Sequence, residues 1–132
     1  MKDTQKNNHK LLLVEDDRSI CRAMEFRLGR EDYEITVAHD GEEGLAKLLE
    51  STPDLVLLDL ILPKLNGFEL LKRLRENPET AAVPVIVLSN LSQKDDVEQA
   101  MKLGALDFYV KSNITMDEIA GIVRKFFENK SK

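Results

Sequence analysis

Cysteine is nearly absent: Cys21 is the one thiol in 132 residues. An internal disulfide is therefore excluded, and no zinc cluster can be built from thiolates. Neither histidine, His9 or His39, stands in a Cys/His signature, and the neighbours of Cys21 read as helix. The thiol is thus expected to be a half-buried packing group and not a nucleophile. A run of Lys and Arg is missing too, and the formal net charge is −5. A surface that tracks nucleic-acid phosphates normally shows a basic excess or stripe, so the charge reads as solubility and no nucleic-acid partner is expected. The opening "MKDTQKNNHK" has no apolar h-region, and "LLLV" is too short to serve as one. The apolar run at 55–62 is far too short to span a bilayer. No membrane association is expected, and a reducing cytoplasmic compartment is the default. No low-complexity segment, linker or second domain is visible. A hydrophobic fraction of 42% and a charged fraction of 33% fit one folded domain of this length.

The residues that are present fall into a repeating pattern. "KLLLV" (10–14) is short and apolar, and reads as a strand. Ile20, Ala23, Met24 and Leu28 step by three and four, which predicts a helix over 18–31. "EITVA" (34–38) alternates and is β-branched, and so predicts a second strand. Asp40 with Glu43 forms a capping-box pattern for a helix over 40–50, with Leu45, Leu48 and Leu49 inward. After Thr52-Pro53-Asp54, "LVLLD" is a third strand. "PKLNG" is a turn-rich loop, and a third helix runs over 68–77 with Leu70, Leu71 and Leu74 inward, ending before Pro78. "VPVIVLSN" (83–90) is a fourth strand. Ser92 and Asp95 are expected to cap a helix over about 94–103, with Val97, Ala100 and Met101 inward and Gly104 closing it. "LDFYVK" (106–111) is a fifth strand. Thr115 and Glu118 form a second capping box, opening a helix with Ile119, Ile122, Val123, Phe126 and Phe127 on one face. Five βα units with continuous apolar strands predict an α/β fold. Its core is a doubly wound parallel sheet of five strands in the flavodoxin-like order 2-1-3-4-5, with helices on both faces.

Sites in such a sheet form at the carboxyl ends of the strands, near the switch in strand order. Strand 1 ends in Glu15-Asp16-Asp17, strand 3 in Asp59, strand 4 in Ser89-Asn90 and strand 5 in Lys111. Strand 2 ends in Ala38-His39 at the sheet edge, away from the others. Asp59 is the odd residue of "LVLLDLILP": a carboxylate that stays charged and unpaired in such a run costs several kcal/mol or more. Three carboxylates from strands 1 and 3 repel one another unless a cation joins them. An all-oxygen donor set without clustered His or Cys favours a hard ion, and few protein ligands with room for water favour Mg²⁺. Lys111 adds a fixed positive charge and Ser89 a hydroxyl. Together these suit in-line attack by the Asp59 carboxylate on phosphorus. Taken singly, each piece has an ordinary explanation: an acidic pair as helix cap, a solvent-facing lysine, a turn serine. Their conjunction at four strand ends does not.

With these residues in place, the chain resembles the receiver domain of two-component response regulators over residues 10 to about 129. "LLLVEDD" resembles the opening strand and acidic pair, Glu15 and Asp16. "LVLLDLILPKLNGFEL" resembles the phosphoacceptor strand and its D-x-x-x-P-x-x-x-G loop, with Asp59, Pro63 and Gly67 in place. "PVIVLS" resembles the strand that carries the switch hydroxyl, Ser89, and "GALDFYVK" the segment that ends in Lys111. The resemblance implies a phosphoryl group received on Asp59 from a histidine kinase or a histidine phosphotransfer protein. It implies Mg²⁺ held by Asp16, Asp59 and the Ile61 backbone carbonyl, with Glu15 helping through water. It implies a switch in which Ser89 moves to the phosphoryl group and Phe108 rotates inward. Output would pass to a downstream effector protein through the face of helix 4, strand 5 and helix 5, and pairing of two phosphorylated copies through that face is compatible. Such a chain catalyses its own phosphorylation and dephosphorylation without being a turnover enzyme. Residues 1–9 are then a disordered polar N-terminus, 10–129 the receiver and 130–132 a tail. No DNA-binding segment follows the last helix, so a stand-alone chemotaxis-type receiver, or one cut from a longer protein, is expected.

Three departures from the family pattern carry expectations of their own. Ser112 follows Lys111 where the family usually has a cis proline, so a trans bond and a rearranged loop are expected, since a non-proline cis bond costs about 2.5–4 kcal/mol. Asn90 stands where a small residue is usual and is expected to narrow access to Asp59. Ile61 and Leu91, apolar at the two positions that tend to set phosphate lifetime, predict slow self-dephosphorylation. The alternatives are a pseudo-receiver used purely for interaction, an Mg²⁺-dependent aspartate phosphohydrolase or Toprim-like enzyme, and a flavin or nucleotide carrier. The enzymes want a second carboxylate two residues after Asp59, where Ile61 stands. The carrier wants a phosphate-binding loop where strand 1 ends in acids.

Overall fold

In β1 (Lys10–Val14) successive side chains point to opposite faces, and both faces are apolar. Leu12 and Val14 join one buried cluster, Leu11 and Leu13 the other. The same alternation divides β3 (Leu55–Leu58) and β4 (Val85–Ser89): Val56, Leu58, Val85 and Val87 on one side, Leu55, Leu57, Ile86 and Leu88 on the other. Strands apolar on both faces need cover on both, which a parallel sheet with crossover helices provides. The computed structural model describes residues 9–130 and contains that sheet, all parallel, in the order β2-β1-β3-β4-β5. Its edge strands are β2 (Glu34–Ala38) and β5 (Asp107–Val110).

Helices α1 (Arg18–Gly29) and α5 (Met116–Lys130) cover one face, through Cys21, Met24, Leu28, Ile119, Val123 and Phe127. Helices α2 (Gly41–Glu50), α3 (Gly67–Glu76) and α4 (Lys94–Lys102) cover the other, through Leu48, Leu70, Leu71, Leu74 and Ala100. Each fully buried leucine contributes roughly 2 kcal/mol of burial free energy. Several helices open on side-chain caps that satisfy first-turn N–H groups. Asp17 accepts from Ile20 N at 3.1 Å, Asp40 from Glu43 N at 2.8 Å and Asn66 from Glu69 N at 3.0 Å. Thr115 and Glu118 form the reciprocal box, at 3.0 and 2.9 Å.

Some details differ from the sequence reading. Helix α4 begins one residue later than a Ser92 cap requires: Gln93 holds the cap position and makes no side-chain cap bond. Leu49, Met101 and Ala23 lie outward, because the apolar stripes of α2, α4 and α1 are wider than the strip each helix buries. Gly104 does close α4, with φ at +91°, a conformation that favours glycine. Arg75 spans the space beside it, donating to the carbonyls of Ala81, Val83 and Gly104. Of residues 1–9, expected to be disordered, 1–8 lie outside the described residues, as do 131 and 132 of the expected tail. His9 is described, and its ring stacks on Phe127 with centroids 3.9 Å apart.

Candidate functional site

Strands β1 and β3 end side by side. Val14 and Leu58 form their last rung, and Asp59 N–H donates to the Val14 carbonyl at 3.0 Å. Glu15 leaves β1 at the same level, its own N–H bonded to the Ala38 carbonyl of β2 at 3.0 Å. The two carboxylates therefore emerge from neighbouring strands at one rim. The first residue of α3 presses on that rim. Gly67 N–H donates to the Leu60 carbonyl at 2.9 Å, and a Cβ on Gly67 would sit 2.5 Å from the Asp59 carbonyl oxygen. Glycine is required there for close approach.

Asp59 is 5% exposed and Glu15 only 2%. Neither is unpaired. Lys111 Nζ lies 2.5 Å from Glu15 Oε1 and 3.0 Å from Asp59 Oδ2. Asp59 Oδ1 accepts from Ile61 N–H at 3.2 Å, and Glu15 Oε2 from Asp17 N–H at 3.1 Å. Burial pushes the Glu15 carboxyl above the usual range. Its bonds from Lys111 and the Asp17 N–H pull the other way, and the charge of Asp59 adds to the rise. Burial alone would lower the Lys111 ammonium, but its bonds to Glu15 and Asp59 outweigh this and raise it. Lys111 is thus held charged between two acids.

One carboxylate oxygen each from Glu15, Asp16 and Asp59 can be chosen so that all lie within 4.8 Å of one another. Asp16 is the exposed member. Three carboxylates against one ammonium leave an excess of negative charge. Hard oxygen donors with that excess fit a divalent hard cation. Asp17, the third acid of the run, is drawn away to cap α1.

The other residues singled out from the sequence lie nearby on the same rim or behind it. Ser89 ends β4 fully buried, its hydroxyl accepting from Leu91 N–H at 3.3 Å. Phe108, on β5, is half-buried against the cluster under α4. The Ile61 side chain is 53% exposed. Lys111 begins not a strand residue but a short 3₁₀ turn, Lys111–Asn113, and the Lys111–Ser112 bond is trans. Asn90 follows Ser89, and its Oδ1 accepts from Ser112 N–H at 2.9 Å. His39 is not remote from the acidic pair. Its Nδ1 lies 3.2 Å from the Glu15 carbonyl oxygen, which Cys21 Sγ also approaches to 3.2 Å. Cys21 is buried, not half-buried, at 2% exposure. No sequence signal marked the contacts of Asn90 and His39, because they join segments 22 and 24 residues apart in the chain.

The profile of the response regulator receiver domain matches residues 11–124. The chain belongs to this family. The receiver is 39% identical over 102 residues to the response regulator ArlR of Staphylococcus saprophyticus, an alignment covering 77% of this chain and 45% of that protein. It spans about half the length, or less, of the first curated relatives it matches. The Mn(2+)-bound form of response regulator Rcp1 superposes with a TM-score of 0.81 at 30% identity, covering 90% of this chain and 94% of that one. The phosphorylated cyanobacterial phytochrome response regulator RcpA gives 0.80 at 31% identity, covering 92% and 93%. Among the described residues of the receiver, no helix is long and apolar enough to cross a membrane.

Proposed function

We propose that this receiver accepts a phosphoryl group on Asp59 from a phosphohistidine donor and passes the signal to an effector protein. The observation that carries the reading is the Asp59 carboxylate at the rim, set between the Lys111 ammonium and the oxygen donors of Glu15 and Asp16. An Asp59 oxygen attacks phosphorus in line. The bond from phosphorus to the donor imidazole nitrogen breaks, that nitrogen keeps the electron pair and takes a proton from solvent, and an acyl phosphate forms on Asp59. Lys111 gives a hydrogen bond to one phosphoryl oxygen, and the Ser89 hydroxyl turns from Leu91 N–H to another. Asp16, Asp59 and the Ile61 carbonyl would hold Mg²⁺, with Glu15 helping through water. When bound there, the ion neutralises charge on the phosphoryl oxygens. The Mn(2+)-bound Rcp1 and the phosphorylated RcpA support this reading by their similarity to the receiver.

Phe108 rotates inward as Ser89 moves, and α4, β5 and α5 form the output face, where phosphorylated copies can pair. The domain extends over 10–129 and works in the cytoplasm, where family members meet their kinases. The chemistry is self-modification rather than turnover of a substrate. Intact mass after incubation with acetyl phosphate tests it. One phosphoryl adduct is expected with Mg²⁺, none after chelation and none in Asp59→Asn. An adduct that forms equally in Asp59→Asn overturns the reading.

Ile61 and Leu91 offer an attacking water no side-chain hydrogen bond. We expect slow loss of the phosphoryl group, and at least about tenfold faster loss when both positions are made polar, a barrier change of about 1.4 kcal/mol. Phosphate release after removal of the donor measures this. An unchanged rate in Ile61→Asn/Leu91→Glu contradicts it.

A further inference from the structure

Ser89 and Val110 form the last rung between β4 and β5, so the backbone of Lys111 lies just beyond the reach of the sheet. It stands on the three-residue turn Lys111–Asn113, whose closing bond, from Ile114 N–H to the Lys111 carbonyl, is long at 3.4 Å. Behind the turn is a cavity of about 270 Å³, walled by Ile20, Met24, Leu88 and Ile114. The turn is thus neither bonded into the sheet nor tightly packed from behind. The bond that crosses it from the neighbouring strand is the one from Ser112 N–H to Asn90 Oδ1, at 2.9 Å. It acts as one more rung, made with a side chain, between the residue after Ser89 and the residue after Lys111.

We propose that Asn90 is a positioning residue, which fixes the base of the Lys111 side chain through the Ser112 N–H. The inference rests on the phosphoacceptor reading of Asp59. The two ion pairs hold the Lys111 amine. Once an Asp59 oxygen is bonded to phosphorus, the amine must follow the phosphoryl oxygens, and its reach is set by where its backbone stands. Asn90 and Ser112 are both exposed, so water replaces the lost partner in Asn90→Ala and the fold is kept.

The test uses beryllofluoride, which stands for the phosphoryl group on Asp59, and Mg²⁺ alone as the second probe. In Asn90→Ala we expect beryllofluoride affinity to fall about fivefold, the factor one net hydrogen bond supplies. Mg²⁺ affinity should be unchanged, and amide exchange at Ser112 should be faster. In a Ser112→Pro background, which lacks that N–H, Asn90→Ala should have no further effect. The proposal is overturned if Asn90→Ala binds beryllofluoride like the wild type, if both probes weaken equally, or if the loss persists in Ser112→Pro. If the wild type itself takes no beryllofluoride, the phosphoacceptor reading falls and this inference with it. If the wild type takes it and Asn90→Ala matches it, only the inference falls.

Discussion

Lys111 stands between two buried acids, and its removal leaves Glu15 and Asp59 facing each other without a counter-charge. Removing one partner from a buried pair is strongly destabilising, so Lys111→Ala should cost about 3 kcal/mol in urea unfolding without metal. In an Asp59→Asn background the cost should shrink, because one of the stranded charges is gone. Equal costs in both backgrounds would contradict the ion-pair account. Cys21 makes a second prediction at this scale. Burial, and after it the nearby charge of Glu15, pushes its thiol from 9.0 up to about 11. Below the unfolded value both states keep the proton and the full contribution of the neutral thiol is present. Between these two values the unfolded chain loses its proton first, so stability falls as pH rises. The same shift leaves about a hundredfold less thiolate in the folded protein near pH 8. Alkylation should therefore be at least that much slower in the folded protein than in urea, and rates within a few-fold of each other would refute the assignment. Asp59, Glu15, Asp16, Ser89 and Lys111 were legible in the sequence because strand ends in a parallel sheet share one rim. The bonds of Asn90 to Ser112, and of His39 to the Glu15 carbonyl, were not. They depend on where loops turn after the strands end, which no periodicity encodes.

Among the elements, α3 does most to shape the site. Its first residue, Gly67, rests on the Asp59–Leu60 peptide with no room for a Cβ. Gly67→Ala should force α3 off the rim and cost about 2 kcal/mol, the usual range for overpacking. Urea unfolding measures the loss, and a midpoint equal to wild type would show that the contact is slack. The strands were read well because both of their faces are buried, so their runs are unbroken. Helix faces were read less well. Leu49 and Met101 step correctly along α2 and α4 yet stay exposed, since a helix over a sheet buries a strip narrower than its apolar stripe. Helix starts depend on a single residue, and the placing of α4 after Gln93 rather than Ser92 turns on that.

For the whole molecule, five short strands in the order β2-β1-β3-β4-β5 bring residues 15, 59, 89 and 111 to one edge. The order was legible from the βα alternation, because right-handed crossovers leave few arrangements. That edge is acidic on balance and carries the half-buried Lys111 ammonium, a distribution that suits a cation and a phosphoryl group together. The central claim is that the phosphoryl group sits on Asp59 and on no neighbouring carboxylate. The most direct measurement is borohydride reduction of the acyl phosphate after acetyl phosphate and Mg²⁺ treatment, followed by peptide mapping. Reduction to the alcohol is expected at residue 59 alone. Reduction at Glu15 or Asp16, or at no carboxylate of the rim, would contradict the account.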